Sequence, residues 1–299
     1  MKYISTEMTA RKWGISERSV REYCHSGRVE GAILVGKSWL IPENANKPPR
    51  KNDAELGRKD LLTALRKEKA AKLSGGIYHK LQIELTYNSN HIEGSRLSHE
   101  QTRYIYETNT VGAEGVLNVD DIVEASNHFR CIDFVIDKAD AAISETFIKH
   151  LHYLLKSGTS DSRVNWFMVG DYKRAPNEVG EKDTTPPSEV GAAMRSLIDA
   201  YNEKDTKTFE EILDFHHRFE AIHPFQDGNG RVGRLIILKE CLKHKIVPFV
   251  IDEELKLFYY RGLSEWGRER GYLIETCRAA QDKFKAWLDY FKIEYDKSK

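Results

Sequence analysis

From residue 56 onward the apolar positions recur at helical spacing. Leu61, Leu62 and Leu65 make one such group, and Tyr78, Leu81, Ile83 and Leu85 a second. A loop around 108–115 interrupts the pattern, which resumes with Ile122, Phe129, Ile132 and Phe134 and again with Ile148, Leu151, Leu154 and Leu155. Between 158 and 187 the periodicity is lost and Gly158, Gly170, Pro176, Gly180, Pro186 and Pro187 accumulate. This stretch reads as loops, with Trp166–Val169 and Tyr172 as strands of a small hairpin. Helices resume at Ser188, and three are expected at Thr208–Ile222, Asn229–Lys243 and Lys256–Glu265. The second contains Leu235-Ile236-Ile237-Leu238, apolar on every side, the mark of a helix at the centre of a fold.

The first 45 residues follow a different pattern. Ser5 can cap a short helix through Ala10 and Trp13, Gly14-Ile15 makes a turn, and Ser16 can cap a second helix from Glu17 to His25 that Gly27 ends. Two β-prone runs follow, Ala32–Val35 and Ser38–Ile41, with Gly36-Lys37 between them. The stretch NANKPPRKND over 44–53 has almost nothing to bury. The expected organisation is a small domain over 1–45, a linker over 46–55, a helical part over 56–145 and a second helical part over 146–299. The fold class is mainly α.

Charge sharpens the division. Lys+Arg and Asp+Glu both number 46, so no global field favours nucleic acid or membrane. Residues 1–51 nevertheless hold ten Lys/Arg against five Glu, a net of +5 that leaves −5 on the remainder. Four scattered cysteines at 24, 131, 241 and 277 have neither CxxC nor zinc-ligand spacing, and reduced thiols are expected. The start, MKYISTEMTARKW, has no apolar run, and no stretch approaches the length of a membrane span. A cytoplasmic protein with no membrane partner is expected.

The candidate chemistry is concentrated in residues 223–234, His-Pro-Phe-Gln-Asp-Gly-Asn-Gly-Arg-Val-Gly-Arg. Gly228-Asn229-Gly230 frees the backbone to turn its N–H groups inward, and the loop opens directly into a helix, whose positive dipole end suits phosphate. Arg231 and Arg234 share a helix face and carry planar forks matched to phosphate oxygens. Asp227 is a hard oxygen ligand of the kind Mg²⁺ accepts beside nucleotide phosphates. His223 has a general base's ordinary pKa. Together these are the parts of a phosphoryl- or nucleotidyl-transfer site.

HPFQDGNGRVGR matches the motif HxFx[D/E]GNGRxxR of the Fic proteins at every specified position, and the chain from 56 to 299 resembles that helical family. The resemblance implies a protein adenylyltransferase, moving AMP from ATP onto a protein hydroxyl with Mg²⁺ and releasing pyrophosphate. It implies His223 as base, Phe225 as loop anchor and Asp227 as metal ligand. Gly228, Asn229, Gly230 and Arg231 would bind phosphates, and Arg234 would fix the γ-phosphate. Val169, Gly170, Asp171 and Tyr172 resemble the family's flap hairpin, which would dock the target segment as an added strand. Tyr259 and Tyr260 resemble the stretch bordering adenosine. Ser89-Asn90-His91-Ile92-Glu93-Gly94 matches the inhibitory motif [S/T]xxxE[G/N], so that Ser89, Glu93 and Gly94 would form a built-in brake with Glu93 paired to Arg234.

Residues 3–48 resemble an excisionase-like or MerR-like winged helix-turn-helix, which implies duplex DNA contacts from Arg18 and Arg21 in the second helix and from Lys37 at the wing tip. The partners expected are therefore a target protein, this chain itself included, double-stranded DNA through 1–45 and a second copy in a homodimer. Two other readings stand beside AMP transfer. One is a DNA-binding regulator that uses the Fic domain as a nucleotide sensor. The other is a Fic enzyme that removes AMP or uses another phosphate-containing donor.

Overall fold

The structure is a computed structural model, and it describes residues 2–25, 27–36, 38–48, 60–112, 116–179 and 182–296. The chain divides into two compact units, 1–58 and 59–299.

In the first unit, strand β1 (Tyr3–Ser5) leads into helix α1 (Thr6–Trp13), capped by Ser5, whose side chain accepts from the Met8 N–H. Gly14 ends α1 in the left-handed conformation, at φ +62°, and α2 runs over Glu17–His25. Ser16 Oγ accepts from the Ser19 N–H at 3.2 Å, as expected of a cap. Strands β2 (Ile33–Val35) and β3 (Ser38–Pro42) form a hairpin, and β3 also pairs with β1, giving an antiparallel sheet of order β1-β3-β2. β1 has no counterpart in the sequence reading, because three residues are too few for alternation to register. Ala10, Trp13, Val20, Cys24, Val29 and Ile41 make this unit's own core.

The second unit is helical. Its elements are α3 (Leu61–Ala71), α4 (Ile77–Ile92), α5 (His99–Thr108), α6 (Val119–Asp137), α7 (Glu145–Lys156), α8 (Pro187–Asn202), α9 (Phe209–Ile222), α10 (Asn229–Lys243), α11 (Glu253–Glu265) and α12 (Gly271–Phe291). No helix among the described residues is long and apolar enough to cross a membrane. As its composition requires, α10 is the axis: nearly every residue from Arg231 to Leu242 is buried. Val232, Leu235, Ile236 and Leu238 pack into the larger apolar cluster, which draws on α3 to α9 and α12. Ile237 and Cys241 face a second cluster with Ile212, Leu213, Tyr259 and Trp266. Leu61, Ile132, Phe147 and Leu235 share one cluster, so residues on both sides of position 145 pack together.

The strands expected at Trp166–Val169 and Tyr172 are absent: this segment is a chain of turns. Gly170 sits at φ +79°, and the Asp171 N–H bonds to the Met168 carbonyl at 3.3 Å, which closes a turn where a strand would have to run straight. The second unit's hairpin lies further on, as β4 (Glu178–Val179) and β5 (Lys182–Asp183).

Candidate active site

The loop between α9 and α10 is set by its own residues. Thr208 and Glu211 form a reciprocal capping box at the start of α9, and the helix ends at His223, which takes a left-handed φ of +50°. Phe225 is fully buried and stacks on His152 with centroids 4.0 Å apart. Burying such a ring is worth about 2–3 kcal/mol, enough to fix the loop's course. His152 accepts from the Gly170 N–H at Nδ1, 2.9 Å away, so its Nε2 carries the proton donated to the Asp227 carbonyl at 3.1 Å. Burial pushes the His152 pKa down to about 3, in keeping with a neutral ring. The Lys173 N–H binds the Pro224 carbonyl at 2.9 Å, and Asn177 Nδ2 the Phe225 carbonyl at 2.9 Å. Residues 167–173 thus brace the loop from behind, and the base of the β4–β5 hairpin is fastened to it.

Gly228 caps α10 at φ +82°, and the first turn of α10 begins at Asn229. Asn229 is buried, and both ends of its amide pair with the Phe225 backbone at 2.8 Å. Its side chain, expected on a phosphate, pins the loop here. Gly230 is close-packed: a Cβ there would lie 2.2 Å from Glu93 Oε1. The Glu93 carboxylate therefore stands over the first turn of α10, where an anion is favoured.

The two arginines are buried and paired. Arg234 donates from Nε to Ser89 Oγ at 2.9 Å and from its NH2 nitrogen to the Ser89 carbonyl at 2.9 Å and to Glu93 Oε1 at 2.7 Å. Arg231 contacts Glu124 and reaches Asp227 Oδ2 at 3.1 Å. Asp227 also meets Lys156 at 2.7 Å, and Lys156 in turn holds Glu124 at 2.6 Å and Asp161 at 2.8 Å. Against the cost of burial, the Arg231 and Lys156 charges hold the Asp227 carboxyl well below the usual carboxylate range. Asp227 is thus ionised, and its side chain is about half exposed (49%). Burial lowers the His223 pKa, with Lys173 pulling the same way and the Glu220 backbone carbonyl, Glu93 and Asp227 opposing. A neutral imidazole able to accept a proton results.

Among the described residues no group of three or more His, Cys, Asp or Glu is placed to hold a metal. One ionised, half-exposed carboxylate beside an anion site still fits Mg²⁺, which is bound this way when phosphate oxygens supply further ligands. Tyr259, expected beside adenosine, is buried in the second cluster with its hydroxyl 2.5 Å from His216 Nε2; Tyr260 is the exposed member of the pair. Arg18 and Arg21 lie exposed on α2, Arg21 paired with Glu17 at 2.9 Å, and Lys37 lies outside the described residues. Glu124, His152, Lys156, His216 and Glu220 belong to the site without any sequence reading pointing to them. Only His152 and Lys156 left a trace, as polar residues four apart within the apolar stripe of an amphipathic helix.

Residues 142–241 match the Fic/DOC family. The chain is 25% identical over 217 residues to protein adenylyltransferase fic-1 of Caenorhabditis elegans, covering 70% of this chain and 42% of that protein. It is 23% identical over 209 residues to protein adenylyltransferase Fic of Nematostella vectensis, covering 68% and 48%. The chain thus spans less than half the length of these curated relatives. Among solved structures it resembles a Fic domain containing signaling protein from Bacteroides thetaiotaomicron, with a TM-score of 0.58, 26% identity and coverage of 76% of this chain and 90% of that one. C. elegans Fic-1 shares the fold at 21% identity and a TM-score of 0.58, covering 76% and 69%. A helical unit built around α10, the loop from His223 to Arg234 and these likenesses converge on one statement: residues 142–241 match the Fic/DOC family, within a fold similar to that of solved Fic proteins.

Proposed function

We propose that this protein is a protein adenylyltransferase, moving AMP from ATP onto a hydroxyl of a target protein, and that Glu93 restrains it. One observation carries the reading: a neutral imidazole, an ionised carboxylate and two buried arginines meet at the start of one helix. His223 takes the proton of the attacking hydroxyl, whose oxygen bonds to the α-phosphorus as pyrophosphate leaves. The α10 N-terminus, Arg231 and Arg234 bind the phosphates, and Asp227 would hold Mg²⁺, which offsets phosphate charge when bound. The β4–β5 hairpin, tied at Asn177 to the Phe225 carbonyl, takes over the docking role expected of 169–172. In the resting chain Glu93 fills the anion position and Arg234 is already paired, so a γ-phosphate must displace it.

Labelling with α-phosphate-labelled ATP tests this directly. Glu93→Gly is expected to transfer at least about tenfold more label than the parent, the scale of a 1.4 kcal/mol release. His223→Ala in the same background is expected to transfer none. Equal labelling by Glu93→Gly and the parent overturns the brake, and no labelling by either overturns AMP transfer.

We further propose that the first unit binds duplex DNA as a winged helix-turn-helix. Two helices with a three-stranded sheet, Arg18 and Arg21 exposed on the second helix and a basic balance support this. Full-length protein should bind duplex with affinity falling steeply with salt. No binding at low salt would favour protein docking instead.

A further inference from the structure

Behind the candidate base lies a buried carboxyl with no part in the steps above. Glu220, one turn before His223 on α9, places Oε2 3.9 Å from His223 Nδ1 and Oε1 4.0 Å from His216 Nδ1. Its side chain is 14% exposed and those of His223 and His216 are 19% and 1%. Oε1 and both Nδ1 atoms are buried without a hydrogen-bond partner; Oε1 faces His216, Oε2 faces His223, and the Glu220 main-chain carbonyl also acts on the His223 ring. Space for them is kept by Gly233 on α10, where a Cβ would lie 2.7 Å from Glu220 Oε1 and 2.8 Å from His216 Nδ1. The row continues away from the base. His216 Nε2 meets the Tyr259 hydroxyl at 2.5 Å, Arg234 reaches that hydroxyl, and Arg234 grips Glu93. A polar path thus runs through the interior from the restraining carboxylate to the imidazole.

We propose that Glu220 is a positioning residue for His223: its carboxyl takes the Nδ1–H, leaving the Nε2 lone pair toward the target hydroxyl. This rests on the adenylyltransferase reading above. A side-chain shift of roughly 1 Å turns a 3.9 Å approach into a hydrogen bond. When Nε2 receives the hydroxyl's proton, the ring becomes an imidazolium, and the nearby carboxyl stabilises that cation. The carboxyl is not permanently charged. Burial and the neighbouring Glu93 push its pKa up to about 8, with Arg234 pulling it down. Removing the Glu93 charge, as Glu93→Gly does, therefore lets Glu220 ionise more readily and strengthens the base. The charged and titratable groups facing this pair are Glu93, Arg234, His216 and Tyr259 around Glu220, with Lys173 and Asp227 beside His223.

The test uses the full chain with Glu93→Gly as parent and adds Glu220→Gln or Glu220→Asp. Gln keeps the shape and hydrogen-bonding capacity of the protonated acid but cannot ionise. Glu220→Gln should lower kcat for AMP transfer on the order of tenfold to a hundredfold with KM for ATP unchanged. It should also erase the inflection of log kcat against pH that Glu220 ionisation produces, and Asp should restore part of both. In parallel, ¹⁵N-histidine spectra read the His223 tautomer and titration without any turnover. The parent is expected to hold the Nδ1–H form, and Gln to shift its proton affinity downward. Superposable His223 titrations and pH profiles in parent and Glu220→Gln would overturn the proposal. If Glu93→Gly transfers no AMP at all, the adenylyltransferase reading fails, and the spectra still decide the Glu220–His223 contact.

Discussion

At the scale of single residues, the site tolerates little added bulk where it is most crowded. Gly233→Ala places a methyl group against Glu220 and His216 on one side of α10. It should destabilise the fold by about 1–3 kcal/mol, read as a lower urea midpoint. The residues of the motif itself were legible because they are contiguous: His223, Asp227, Gly228, Arg231 and Arg234 sit within twelve positions, and local chemistry alone groups them. Their partners were not legible. Lys156 reaches Asp227 across 71 positions and Glu124 reaches Arg231 across 107, and nothing local marks a lysine or a glutamate as the one that folding will bring there. Asn229 shows the converse. Its place in the motif was plain, but that its amide is taken up by the Phe225 backbone follows from the shape of the turn, which spacing does not specify.

Individual helices carry the response to acid and base. His128 on α6, His152 on α7 and His216 on α9 are buried, and desolvation lowers each from 6.5 to about 3. The unfolded chain binds these protons first, so stability should fall as pH drops below about 6.5 and go on falling toward 3. Glu220 works in the opposite sense. Its pKa is raised from 4.5 to about 8, so its contribution is fully present below 4.5 and is lost as pH rises through 8. Urea midpoints measured at acid, neutral and mildly alkaline pH should peak between these limits, and Glu220→Gln should flatten the alkaline side alone. The capping box of α9 is a separate contribution: Thr208→Ala should cost about 1 kcal/mol of stability. Helix α9 was read nearly to its ends because cap and periodicity agree, and α10 because Gly228 precedes a continuous apolar run. The hairpin was displaced by about ten positions, since a stretch of Gly, Pro and single aromatics has no period and its two-residue strands leave no alternation to find.

The whole molecule behaves as two units, each with its own core. A fragment over residues 60–299 should therefore fold alone, and in the Glu93→Gly background it should keep AMP transfer within about threefold of the full chain, an order-of-magnitude margin of less than 1 kcal/mol. Loss of folding in that fragment would show that the units depend on one another. Composition and charge set residues 1–45 apart in the sequence, and a small domain needs its own Trp, Val and Ile positions to form a core at all. The seat of Glu93 bears on the chain's response to heat. Glu93 lies just past the last residue of α4, and Arg234 holds the Ser89 carbonyl and hydroxyl in that same final turn. Helix ends open before helix middles. If Glu93 restrains the site as proposed, that restraint would be mounted on the last turn of α4, and warming, or a partner that unwinds this turn, would release it while the rest of the domain stays folded. Such a catch would make catalytic output a thermometer, rising with temperature in the parent more steeply than in Glu93→Gly.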